Sequence, residues 1–276
     1  MDEMAVTVPS YGASLQGTLF LPSSARPRAY ALINGATGVP ARVYASFARW
    51  LADMQGIACL TYDYRDFGRS GAVADSPATM TDWGIHDQQA ARDWLSEKAE
   101  KSPLWVIGHS LGGMMLPYQL GLSSIDRVIV VAAGAVHVSD HPWPAQLAVR
   151  LFWTPGLTAI SRRMGYFPGR LLRQGTDIPV GVYAQWRLWC TSKGFHRADP
   201  DLPAGAADGL ACPMKVVAVS DDVLCPPATV WRLMQVYPEA HKRQLTLYPE
   251  DYGLRTIGHI NVLTERSADV WPDIIA

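Results

Sequence analysis

The sequence predicts an α/β fold, a mostly parallel twisted sheet flanked by helices, with a helical insertion in its second half. Three observations carry this. Short β-rich apolar segments alternate with stretches whose apolar residues recur at three- and four-residue spacings. The segment Pro103-Leu104-Trp105-Val106-Ile107-Gly108-His109-Ser110-Leu111-Gly112-Gly113 runs from an apolar strand through a glycine-rich turn into helix-compatible residues. From about Val136 to Asp208 the alternation breaks into clustered aromatics and seven prolines, before strand-like Met214 to Val219 resumes.

The elements follow in order. Ala5 to Pro9 and Leu15 to Leu21 read as an opening strand pair, and Tyr30 to Ile33, Ile57 to Tyr62, Leu104 to Ile107 and Val128 to Ala132 as buried parallel strands. Helical spacing fills the gaps at Val43 to Met54, Thr81 to Ser96 and Leu111 to Leu122, and such crossovers should be right-handed. The last third reads as strand Met214 to Val219, helix Ala228 to Tyr237, strand Gln244 to Tyr248 and a closing helix Ile260 to Ser267. This divides the chain into a core of residues 1–135 and 209–276 and an inserted cap, or lid, of 136–208.

At 276 residues, one compact unit with an insertion is the expected organisation. Hydrophobic content of 49% beside 18% charged residues gives enough burial to offset chain entropy and argues against disorder. The formal net charge is -1 and no charged run exceeds a few residues, so the sequence shows no electrostatic footprint for nucleic acid or an anionic membrane surface. The amino terminus carries acids where a secretory signal carries lysine or arginine, and the longest apolar stretch, Val128 to Val136, is too short to span a bilayer. Cys59, Cys190, Cys212 and Cys225 are widely spaced, with neither zinc-site nor disulfide-scaffold spacing. A soluble cytoplasmic protein in a reducing compartment is expected, and a homo-oligomer stays open.

The chemistry centres on Gly108-His109-Ser110-Leu111-Gly112. In G-x-S-x-G a strained turn lifts the serine hydroxyl above the sheet edge, and the flanking glycines let strand and helix approach closely. A lone hydroxyl is a poor nucleophile at neutral pH, so Ser110 needs a base, and that base an orienting acid. Asp221 and Asp222 both sit on the loop after the strand ending at Val219, at the carboxyl edge where open α/β sheets hold ligands. His259, in Thr256-Ile257-Gly258-His259-Ile260-Asn261, follows the last expected strand at the same edge. The loop Ile33-Asn34-Gly35-Ala36-Thr37-Gly38 ends the third strand, and the Ala36 and Leu111 backbone N–H groups are the expected oxyanion donors, each worth roughly 3 kcal/mol of barrier.

With these motifs the chain resembles the serine hydrolases of the α/β-hydrolase superfamily, and within it the serine aminopeptidase and monoacylglycerol lipase-like branch. The resemblance rests on Gly108-His109-Ser110-Leu111-Gly112-Gly113, on the turn Tyr62-Asp63-Tyr64-Arg65-Asp66-Phe67-Gly68-Arg69-Ser70-Gly71, and on Asp222 through Pro226 with Gly258-His259. The Asp222 to Pro226 separation resembles the family pattern and favours Asp222 over Asp221. The resemblance implies hydrolysis of an ester, thioester or amide through an acyl-enzyme without a cofactor; an ester of a small to medium, largely apolar small molecule is the expected substrate, and no metal is expected. The same triad would also serve a peptidase, a thioesterase, an acyltransferase or a C–C bond hydrolase, and a non-catalytic ligand-binding module is the alternative of a different class. Asn34 departs from the family by standing where many members place histidine.

The cap is where specificity is expected. Trp143, Trp153, Trp186 and Trp189 are candidates to line an apolar pocket, against the plainer reading that they form the cap's own core. His241 is the rival base but precedes the last strand, and Asp63, Arg65 and Tyr44 are open between substrate contact and turn stabilisation.

Overall fold

In the computed structural model, which describes residues 1–23, 26–203, 210–237 and 240–276, eight strands form one sheet. They are β1 (Asp2–Ser10), β2 (Ala13–Leu21), β3 (Ala29–Asn34), β4 (Ile57–Tyr62), β5 (Leu104–His109), β6 (Arg127–Val131), β9 (Pro213–Val219) and β10 (His241–Leu247), in the order β1-β2-β4-β3-β5-β6-β9-β10. The first two pairings, β1 with β2 and β2 with β4, are antiparallel; all others are parallel. The chain steps from β3 outward to β4 and then back across to β5, so β3 and β5 are neighbours whose connections leave in opposite directions. That switch point opens a crevice at the carboxyl ends of the strands.

Every residue of β4 and β5 is buried, as expected for parallel strands covered on both faces. Successive side chains point to opposite faces and feed two cores. Leu32, Leu60, Val106, Val130 and Val216 pack beneath Trp83 and Leu95. Ala31, Ile33, Ile107, Ile129 and Val217 pack beneath Phe47, Leu51, Trp271 and Ile274. Helix α1 (Ala45–Gln55) supplies the second face and stops at Gly56, whose φ of 63° closes the helix in the left-handed region. The wide π turn Asp82–Asp87 leads into α2 (Gln88–Ala99) on the first face. Thr79 and Asp82 exchange bonds ahead of it, Thr79 N donating to Asp82 Oδ2 at 2.9 Å and Asp82 N to Thr79 Oγ1 at 3.2 Å.

Between β6 and β9 the chain leaves the sheet. It forms α3 (Ala145–Phe152), α4 (Pro155–Met164), a short hairpin of β7 (Tyr166–Phe167) and β8 (Ile178–Pro179), and α5 (Val180–Thr191). The expected far boundary of this excursion, residue 208, lies outside the described residues. Polar bonds fasten it to the sheet domain: Gln185 Nε2 donates to Thr81 Oγ1 at 2.8 Å, Asp75 N to Gly165 O at 3.1 Å, and the Thr176 hydroxyl to Gly38 O. After β9 come α6 (Pro227–Leu233), then β10, and the chain closes with α7 (Gly258–Asn261) and α8 (Trp271–Ile275).

One expected helix is absent. In place of Leu111 to Leu122 there are three short 3-10 turns, Ser110–Gly113, Leu116–Tyr118 and Leu122–Ser124. Pro117 has no N–H to offer the Gly113 carbonyl four residues back, and that carbonyl accepts the Tyr237 hydroxyl at 2.9 Å instead. The closing helix is likewise split, with Ser267 at φ -122° and ψ 30° breaking the segment between α7 and α8.

Where β5 turns at its carboxyl end, the backbone leaves no room for side chains at two of its glycines. A Cβ at Gly112 would stand 2.0 Å from Asn34 O, and one at Gly108 would stand 2.3 Å from Gly112 O. Both obstacles are backbone and cannot rotate aside. Gly112→Ala is therefore expected to lose about 3 kcal/mol of stability, a Tm drop of roughly 6–12 °C in thermal unfolding. Gly156→Ala, with nothing within 4 Å of its Cβ, should leave Tm unchanged or raise it slightly.

Candidate active site

Ser110 sits on that turn with φ of 54°, a left-handed conformation that a non-glycine residue holds only where the surroundings enforce it. Close packing of Gly108 and Gly112 supplies the enforcement, and it carries Ser110 out of the sheet at the switch point. The Leu111 N–H that follows has no hydrogen-bond partner among the described residues.

Asp222 and His259, 37 residues apart in sequence, meet at the same edge. The Asp222 Oδ2 lies 2.7 Å from His259 Nδ1, with the Asp222 side chain fully buried and the His259 side chain 10% exposed. Asp222 Oδ1 accepts the N–H groups of Leu224 and Cys225, each at 2.8 Å, which fixes the carboxylate plane. A carboxylate can only accept, so His259 carries its proton on Nδ1 and leaves Nε2 free to accept one. Asp221 does a different job. Its carboxylate accepts Thr256 Oγ1 at 2.6 Å, Ile257 N at 3.0 Å and Gly258 N at 2.9 Å, tying down the loop that presents His259. Burial raises the pKa of Asp221, but these bonds outweigh it and hold the group below its usual value. The geometry thus separates two adjacent aspartates: Asp222 touches the imidazole, and Asp221 touches only the loop carrying it.

A buried chain of hydrogen bonds joins this histidine to the loop after β3. His109 Nε2 lies 2.9 Å from the His259 carbonyl oxygen, and His109 Nδ1 lies 2.8 Å from the Tyr44 hydroxyl. The carbonyl can only accept, so Nε2 carries the hydrogen; Nδ1 must then accept from Tyr44. Having donated its one hydrogen, the Tyr44 oxygen accepts the Ala36 N–H at 2.8 Å. Every direction in the chain follows from one carbonyl. Burial, followed by the neighbouring His259, pushes the His109 pKa down to about 3, so the ring is neutral and keeps this pattern at ordinary pH. The rings of His109 and His259 stand 5.1 Å apart, which places His259 against the residue preceding Ser110.

This corrects the expectation for Ala36. Its amide hydrogen is engaged by Tyr44 and is not available to a bound oxyanion. The rest of the loop is held as firmly: Tyr62 donates to Asn34 Oδ1 at 2.7 Å, Asn34 Nδ2 to Gln88 Oε1 at 3.4 Å, and Tyr64 to Gly35 O at 2.8 Å. Asn34 thus serves a buried network in place of the histidine of many family members. Tyr44, open at the sequence level, is 1% exposed and belongs to this network. No spacing rule links it to His109, 65 residues away.

The four candidate pocket tryptophans have different surroundings. Trp189 is fully buried and donates to Asp199 Oδ2 at 2.6 Å, inside the excursion. Trp153 stacks on Tyr183 at 5.6 Å and meets Trp186 edge-on at 5.0 Å, in a cluster with Phe152 and Phe167. Trp143 is 76% exposed. For Trp153 and Trp189 the expectation of a pocket lining is corrected: as large apolar rings they are the core that lets so small an excursion fold. Asp63 accepts Ala41 N at 2.7 Å and Arg69 N at 3.0 Å, and Arg65 pairs with buried Asp87 at 2.7 Å, so both stabilise turns. His241 begins β10, at the opposite edge of the sheet from Ser110. A cleft of about 740 Å³ lies at that same distant edge, lined by residues such as Trp105, Arg127 and Lys215, and has no part in this site. Among the described residues no cluster of His, Cys, Asp and Glu could hold a metal ion.

Comparison with known proteins agrees with this architecture. No curated protein matches the sequence. Among solved structures, the esterase domain of a Rhodothermus marinus protein is similar at a TM-score of 0.59 and 20% identity, over 99% of this chain and 96% of that one. A thermophilic esterase from Thermogutta terrifontis gives 0.58 and 16%, over 99% and 97%. Proline iminopeptidase from Mycobacterium smegmatis gives 0.60 and 18%, over 99% and 98%. At such identities the likeness is one of fold. The family model described as the alpha/beta hydrolase family matches residues 19–269, nearly the whole chain, and with the switch-point site just described it shows that this protein belongs to that family.

Proposed function

We propose that the protein is a serine hydrolase that cleaves an ester of a small to medium, largely apolar substrate through an acyl-enzyme. The observation that carries this is the Asp222–His259 pair at 2.7 Å, set against the turn that displays Ser110. Ser110 Oγ attacks the acyl carbonyl as its proton passes to His259 Nε2, and Asp222 stabilises the imidazolium so formed. The proton then goes to the leaving alkoxide, the C–O bond breaks, and the alcohol departs. Water, deprotonated by His259, attacks the acyl carbon in turn and releases the acid and free Ser110.

Two backbone amides near the turn would hold the oxyanion. Leu111 N–H is one; on the β3 loop the role passes from Ala36 to Thr37, whose N–H has no partner among the described residues. The excursion between β6 and β9 is read as a cap. Its fastening to Gly38 by Thr176 supports a part in shaping the acyl site. Leu224 and Ile260, 51% and 36% exposed, flank the acid and the base and give the entrance an apolar character suited to such a substrate. Esterases among the structural relatives are consistent with this choice of bond.

A fluorophosphonate probe should label the wild type at Ser110, and Ser110→Ala should be neither labelled nor active on a panel of p-nitrophenyl esters. A folded but unlabelled wild type would favour a ligand-binding module. The two aspartates should part company: Asp222→Asn is expected to lower kcat about 10⁴-fold, while Asp221→Asn, which loosens only the loop, should cost about tenfold and mainly lower Tm. Tyr44→Phe removes the acceptor of the Ala36 N–H and the donor to His109. It should lower kcat about tenfold with little change in KM and cost about 1–3 kcal/mol of stability, measured by steady-state kinetics and urea unfolding.

A further inference from the structure

Residues 141–176 hold five of the chain's 24 lysines and arginines and none of its 25 acidic residues. Arg150, Arg162, Arg163, Arg170 and Arg173 are all exposed. Of the acids that bracket the segment, Asp140 is bound to Arg232 at 2.7 Å and Asp177 pairs with Arg170 at 3.8 Å, so among the described residues the other four arginines have no carboxylate partner. The near-neutral composition of the whole chain conceals this asymmetry.

The same segment exposes its apolar side chains. Trp143 is 76% exposed, and α3 buries no residue at all, turning Leu147 and Leu151 to solvent one turn apart with Arg150 between them. On α4, Ile160 and Arg163 face away from buried Thr158 and Ser161. An eight-residue helix gains little from its backbone alone, and a face of leucines and tryptophan left in water is what a partner covers. The face adjoins the site: His141 Nδ1 lies 2.9 Å from Val223 O, and Val223 follows Asp222 directly.

A second copy of the chain would set arginines against the same arginines across a two-fold axis, a repulsive arrangement. An anionic bilayer suits every component. Tryptophan settles at the headgroup level, leucines enter the acyl boundary, and arginines extend their stems along apolar surface while their guanidinium groups stay among phosphates. We infer that Trp143, α3 and the outer side of α4 form a peripheral docking surface for anionic lipid bilayers, with the Asp222 edge of the site at its margin.

The test is sedimentation of the full-length protein with vesicles of phosphatidylcholine alone or mixed with phosphatidylglycerol. Binding to the mixed vesicles is expected to be at least roughly thirtyfold stronger and to weaken as salt is raised. The double variant Arg150→Gln with Arg163→Gln should weaken it roughly thirtyfold, and Leu147→Ser with Leu151→Ser at least roughly tenfold; all four positions are exposed, so circular dichroism should be unchanged. The emission of Trp143, isolated by difference against Trp143→Phe, should shift to the blue on mixed vesicles. Ser110→Ala should bind as the wild type does, so loss of the hydrolytic reading would leave this result standing. Sedimentation with neither vesicle, equal sedimentation with both, or binding that survives both double variants overturns the proposal. So does a dimer in solution that Leu147→Ser with Leu151→Ser dissociates, since it gives the face to a second copy.

Discussion

The backbone contact between the β5 turn and the end of β3 is the constraint on which the rest of the molecule turns. Gly112 lies so close to Asn34 that no side chain fits between them, and this closeness is what forces Ser110 into the left-handed region and out of the sheet. The two strands that meet there are also the ones whose connections diverge, so the strained residue stands at the mouth of the crevice that the topology opens. Strain, position and exposure of the hydroxyl share one cause.

From that contact a hydrogen-bond chain runs to both sides. His109 precedes Ser110 and points below the turn, where it donates to the backbone of His259 and accepts from Tyr44, which holds Ala36. The imidazole proposed as base and the loop proposed to hold the oxyanion are therefore braced against one neutral histidine. Because all of these groups are buried, a missing partner would leave an unsatisfied polar atom in a dry interior, and the cost of that is what keeps the arrangement in a single geometry. Asp221 and Asp222 complete the bracing from the opposite side, one on the loop and one on the ring.

The excursion between β6 and β9 solves a separate problem. Its aromatic rings stack on one another, Phe167 against Tyr183 at 4.4 Å and Trp153 against Tyr183 at 5.6 Å, and supply the core of a segment of three short helices. With those rings turned inward, its outer face is left to leucines, an exposed tryptophan and arginines. An apolar, basic face beside the proposed ester site joins the recognition of a surface to the chemistry at its edge.

The sequence by itself determined the sheet, and it nominated Ser110, His259 and the adjacent pair Asp221 and Asp222 for the proposed triad. The central strands β3, β4, β5, β6 and β9 were legible because parallel strands covered on both faces must be nearly continuous apolar runs, and β1 and β2 because their residues alternate; the positions proposed for the triad stood out because a strained turn and two loop ends leave local signatures in glycine, proline and the limits of those runs. Apolar spacing predicts a helix over Leu111 to Leu122, but Pro117 has no N–H to continue one, and short 3-10 turns stand in its place. Three things were decided only by tertiary structure: that Ala36 gives its amide to Tyr44, that Asp222 and not Asp221 meets the imidazole, and that Trp153 and Trp189 pack inward while Trp143 does not. Each depends on the direction in which a donor, an acceptor or a ring points across elements far apart in the chain. Periodicity and spacing report which face of its own element a residue occupies, but the partner across the gap is chosen by packing and by the need to satisfy every buried polar atom.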